Sequence, residues 1–162
     1  HSSFYNFYLE VDDIKKNKIK FNNKILHQSK ILNHLIEDNY SYKNTQKDLD
    51  TFLKKAKKNK KYFFSIKDII LIESLISDGI EISQKYDGMF ELNQAVVPED
   101  IQFLIDNNET GMVLLRLIEM IGQDMIRDID VETVQFITNV LNQLNIDRIR
   151  NSILIKVLPL KV

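Results

Sequence analysis

The chain has no cysteine, which excludes disulfides and thiolate metal sites and leaves the redox compartment unreadable. Four glycines and two prolines are too few for a loop-rich all-β fold or a disordered chain. None of the glycines stands in a G-x-x-x-x-G-K or G-x-G-x-x-G arrangement, so no phosphate-cradling loop is present. Gly-x-Ser-x-Gly and Ser-x-x-Lys are missing, as are Glu-x-x-His and His-Glu-x-x-His, so the usual carriers of a nucleophile or a zincin site are absent. No apolar run approaches the roughly 20 residues that span a bilayer. Arginine is missing from the first 85 residues, which removes the side chain best suited to grip phosphate bidentately there.

What remains has the composition of a soluble globular protein, 44% apolar and 28% charged. At 162 residues it suits one helical domain, 1–162, able to bury about 70% of its unfolded surface. Charge is unevenly spread. Residues 1–85 hold 16 lysines and 11 acids, whereas residues 86–162 hold six basic residues and 12 acids. The chain starts His-Ser-Ser without methionine, so it is expected to be a processed or excised product of a cytoplasmic, periplasmic or exported protein.

Helical periodicity dominates from Ile25 onward, and the expected fold is all-α, about seven helices in antiparallel hairpins. NKILHQSKILNHLIEDN places Ile25, Leu32, Leu35 and Ile36 on one stripe. TQKDLDTFLKKAKKNKK, with Thr45 and Asp48 in capping-box spacing, places Leu49, Phe52, Leu53 and Ala56 inward. SIKDIILIESLISDG opens on Ser65 with Asp68 three residues on and closes at Gly79; its apolar residues nearly encircle it, so it reads as central. Asp87-Gly88 between short alternating runs allows a minor β-hairpin near 80–92, and KIKFNNKI carries a weaker strand signal.

Pro98 sits where a helix starts, with Glu99 and Asp100 in its first turn. GMVLLRLIEMIG reads as a buried core helix, too short for a membrane span. DVETVQFITNVLNQLN starts at the N-cap Asp130 and pairs through the Asn145 turn with NIDRIRNSILIKVLP, whose inward face is read as Ile146, Ile149, Ile153, Leu154 and Val157. The hairpins at 98–121 and 131–158 resemble those of tetratricopeptide-like superhelical repeat proteins, and helical regions of uncharacterised exported bacterial proteins. The small residues of the tetratricopeptide helix crossing have no counterparts in VETVQFITNVLNQLNIDRIRNSIL, so the resemblance is architectural.

LKKAKKNKKYFFS is the most charged stretch. Its lysines fall off the inward stripe, which makes them a solvated helix end; Tyr62, Phe63 and Phe64 read as core anchors. The sharper reading is an anion patch of Lys43, Lys47, Lys54, Lys55, Lys57, Lys58, Lys60 and Lys61 for nucleic acid or a membrane surface. His27 and His34, seven apart, cannot chelate one ion; Asp38 is spaced to orient His34. Asp124, Asp128, Asp130 and Glu132 lack the further ligands of a calcium loop. No catalytic, cofactor or metal residues are therefore assigned.

Phe4, Tyr5, Phe7 and Tyr8, in an N-terminal arm 1–22, are candidates for docking a partner or preceding sequence. The leading expectation is a non-enzymatic helical protein-interaction or scaffold domain. The alternatives are a lysine-patch anion-binding module and an accessory helical region of a larger enzyme.

Overall fold

The computed structural model describes residues 19–36, 40–92, 97–122 and 128–160. The expected all-α class is what the chain adopts. The described residues form six α-helices and three short 3-10 helices. They fall into two compact units, one of residues 19–92 with 158–160 and one of residues 97–157.

In the first unit, the segment read as one α-helix is two 3-10 helices, Leu26–Gln28 and Lys30–Leu35. Ser29 separates them: its hydroxyl donates to Leu26 O (2.7 Å) and accepts from Ile31 N–H (3.3 Å). Leu26, Ser29, Leu32 and Leu35 are all buried, and a spacing of three suits a helix with three residues per turn.

Helix α1, Tyr42–Lys58, begins a turn earlier than the Thr45–Asp48 pattern suggests, because Ser41 caps it by accepting from Asn44 N–H. Its Thr45, Leu49, Leu53 and Ala56 are buried. Helix α2, Ile66–Ser77, has the expected capping box of Ser65 and Asp68 and buries Ile69, Ile70, Leu71, Ile72 and Leu75. It ends as expected at Gly79 with φ +94°. There Ile80 N–H donates to Leu75 O and Gly79 N–H to Ile76 O, both at 2.9 Å, which completes a Schellman motif.

The hairpin reading near 80–92 is corrected. Those residues contain a 3-10 helix, Gln84–Tyr86, and no strand. Tyr86 is buried, and Asp87-Gly88 are the central pair of a turn closed by Met89 N–H donating to Tyr86 O (3.2 Å), so the signal marks a local turn after the 3-10 helix and not cross-strand pairing. Among the described residues, pairing occurs instead as a single antiparallel bridge between Lys20 and Leu160.

The second unit contains α3 (Glu99–Asp106), α4 (Thr110–Ile121), α5 (Val131–Gln143) and α6 (Asp147–Val157). Pro98 and Asp130 stand at the N-caps of α3 and α5. The α3–α4 and α5–α6 turns repeat the Schellman pattern with Asn108 (φ 57°) and Asn145 (φ 56°) in the left-handed position. These two short turns close α3–α4 and α5–α6 into helical hairpins.

Helix α4 is not the buried helix expected. Val113, Leu117 and Ile121 form a single buried stripe at four-residue spacing, while Met112, Leu115 and Met120 are exposed. In α6, the inward stripe includes Arg150, which is 0% exposed.

Candidate functional site

All eight lysines of the candidate patch are exposed. A rotation of 100° per residue gathers Lys43, Lys47, Lys54 and Lys58 into an arc of about 60°, opposite the buried Thr45, Leu49, Leu53 and Ala56. This ridge is about 22 Å long. Asp50 and Thr51 occupy its middle, Lys55 lies to one side, and Lys60 and Lys61 continue it into the following turn. Lys57 is diverted: its Nζ donates to Lys85 O (2.6 Å) and lies over the Tyr86 ring. No ridge lysine forms a salt bridge among the described residues.

Beyond the ridge, Phe63 is 85% exposed, which overturns its reading as a core anchor. Residues 62–65 are non-helical and pass over the unit in alternation. Tyr62 packs edge-on against Phe52 (5.2 Å) and Phe64 (4.9 Å), and Phe64 meets Phe90. Side chains of an extended segment point to opposite sides, so burying Tyr62 and Phe64 turns Phe63 outward.

His27 and His34 act as pins. Asp68, 1% exposed, accepts from His27 N–H (3.0 Å), His27 Nδ1 (2.6 Å), Tyr62 O–H (2.7 Å) and Ser65 N–H (3.1 Å). Burial holds the Tyr62 hydroxyl well above its ordinary pKa. Ser65 Oγ also faces His27 Nδ1 (3.4 Å). A Ser-His-Asp relay needs hydroxyl and carboxylate on opposite ring nitrogens; with both on one nitrogen, this arrangement is structural.

His34 joins Asp78 through Nε2 (2.7 Å) and Thr45 through Nδ1 (3.1 Å). Its carboxylate partner is therefore Asp78; Asp38 lies outside the described residues. The spacing fits. His27 and His34 stand near opposite ends of the 3-10 segment, and the ten residues from Asp68 to Asp78 rise about 15 Å along α2, so one pair closes at each end of that helix.

At the C-terminal end of α2 an open groove of about 860 Å³ is lined by Ile76, Gly79, Ile80, Glu81, Ile82, Tyr86, Asp87, Gly88, Phe90 and Leu92. Its wall is mostly apolar, and Glu81 and Asp87 are its carboxylates. Farther along α2, Glu73 carries a buried Oε1 with no hydrogen-bond partner, and burial pushes its carboxyl up to about 7.

In the second unit, Met112, Leu115 and Met120 lie within an arc of about 140° on α4, interspersed with Arg116 and Glu119. Phe103 on α3 is 64% exposed. With Glu99, Asp100, Asp106 and Glu109, residues 97–122 hold five acids and one base.

Asp130 caps α5 through Thr133 N–H (3.2 Å) and Thr133 O–H (2.6 Å), and the Thr133 hydroxyl holds its carboxyl below the ordinary range. No group of three metal-ligating side chains converges among the described residues. Asp124 and the docking candidates Phe4, Tyr5, Phe7 and Tyr8 lie outside them. No helix among the described residues is long and apolar enough to cross a membrane.

Arg150 was missed by the sequence reading. Its Nη1 donates to Asn142 Oδ1 (2.9 Å), Nε and Nη2 donate to Asn151 Oδ1 (3.1 and 2.8 Å), and Asp147 lies 3.6 Å away. The available signal was its place four residues from both Ile146 and Leu154, within the apolar stripe. No protein-family model, curated protein or solved structure matches the chain.

Proposed function

We propose that the protein is a non-enzymatic helical interaction domain whose α3–α4 hairpin docks a basic amphipathic helix of a partner protein. The observation that carries this reading is the exposure of Phe103, Met112, Leu115 and Met120 within an acidic surround. Methionine and leucine adapt to varied apolar surfaces, and the carboxylates of residues 97–122 favour a lysine-bearing partner over an acidic one. The likeness to superhelical repeat hairpins belongs to the same reading.

The test is titration with a helical peptide of alternating leucine and lysine faces. Binding is expected to weaken with salt and to fall at least about tenfold in Leu115→Ser and Phe103→Ser. Equal binding of a peptide with glutamate in place of lysine, or indifference to both substitutions, would overturn it.

A second reading, anion binding by the first unit, is supported by the alignment of Lys43, Lys47, Lys54 and Lys58 on one unpaired ridge. It predicts steep salt dependence and loss of binding when these four become glutamine.

A further inference from the structure

We propose that the first unit docks on an anionic lipid surface, its lysine ridge against the headgroups and Phe63 inserted among the acyl chains. This rests on the anion-binding reading and commits it to one source. Phe63 is 85% exposed and directly follows Lys60, Lys61 and Tyr62 in sequence. Ile66, three residues on, is also exposed, and Lys67 follows it. An unsupported phenyl ring in water is unfavourable, and its neighbours Tyr62 and Phe64 are engaged with each other.

Single-stranded nucleic acid also uses exposed rings, but Ile66 offers a base no π-face to stack on. In hydrocarbon both side chains lose water-exposed apolar area. The cations point the same way. The unit carries lysine and no arginine, and compact ammonium charges suit a diffuse headgroup field, whereas gripping individual phosphates favours the guanidinium fork. Stable peripheral docking takes two signals, and a polybasic patch beside an inserting apolar side chain supplies both.

The experiment compares vesicles of phosphatidylcholine alone with vesicles containing about one-third phosphatidylserine. Acidic vesicles should bind the protein and neutral ones should not. Each ridge lysine should contribute about fivefold, so changing Lys43, Lys47, Lys54 and Lys58 together to glutamine should lower affinity several hundred-fold. Phe63→Ser should lower it about tenfold or more while leaving the far-ultraviolet spectrum unchanged, since Phe63 is 85% exposed.

The chain contains no tryptophan, so Phe63→Trp is a unique reporter. Its emission should shift to the blue on acidic vesicles and be quenched by brominated acyl chains. Unmoved emission, or full vesicle affinity in Phe63→Ser, would overturn insertion. Tighter binding of an oligothymidylate than of acidic vesicles would overturn the lipid assignment while keeping the anion-binding ridge. Vesicle binding indifferent to the four glutamines would remove the ridge as well.

Discussion

Glu73 is the side chain whose chemistry is most at odds with its place. Half-buried on α2 with one oxygen unpartnered, its carboxyl titrates near 7 in the folded protein, above its ordinary value. Because the fold favours the protonated form, the contribution of Glu73 to stability is largest below about pH 4.5, is lost as pH rises toward 7, and stays lost above it. Glu73→Gln should therefore stabilise the protein at pH 8 by about 1–2 kcal/mol, a figure reduced for partial solvent screening, and make no difference at pH 4. Urea unfolding at the two pH values checks this; equal gains at both would exclude titration as the cause. Arg150 is the counter-case. Its buried guanidinium has acceptors from Asn142 and Asn151, so charge in the core is matched by hydrogen bonds. Periodicity placed Arg150 in the stripe, but an arginine there reads as an outward residue until its acceptors are located in space.

Helix ends account for much of the order at the scale of elements. The chain is poor in glycine, and among the described residues two of the three Schellman turns use asparagine at positive φ. Asparagine visits the left-handed region more readily than other side chains, at a cost glycine does not bear. Asn145→Gly should leave stability unchanged or raised, and Asn145→Ala should lower it by about 1 kcal/mol, read from thermal or urea unfolding. A neutral alanine variant would show that the α5–α6 turn tolerates another geometry.

Caps and breaks that rest on local hydrogen bonding were mostly legible at this scale: Ser65 with Asp68, Gly79, Asp130 and the Asn145 turn stand where the sequence puts them, whereas the Thr45–Asp48 box gives way to a cap at Ser41. The 3-10 segment was not legible, because Leu32 and Leu35 satisfy both a three-residue and a 3.6-residue repeat. What separates the two is Ser29 and the pins from His27 and His34, made with residues 41 and 44 positions away.

Over the whole molecule the two units carry opposite charge. The described residues of the first hold 13 lysines and eight acids, and those of the second hold nine acids and four bases. Like charges within each unit repel, and unlike units of different copies attract. Sedimentation velocity should show association at about 20 mM salt, where the screening length is about 20 Å, that disappears at about 300 mM, where it is about 6 Å. A sedimentation coefficient independent of salt would exclude charge-driven association.

Neither candidate surface could be located from composition alone. The lysines were conspicuous, yet whether they share a ridge depends on the phase of α1. Met112, Leu115 and Met120 looked like core, and only packing shows that α4 buries a single stripe and that Phe103 on α3 stays exposed.

The sequence by itself determined the helical class, the positions of most caps and turns, and the inward stripes of α1, α2 and α5, because backbone hydrogen bonding and side-chain periodicity are local. Tertiary structure alone decided which apolar residues stay in water, which carboxylates meet the histidines, and that an arginine belongs inside. Those outcomes depend on how much partner surface each helix finds, and no window of sequence contains that quantity.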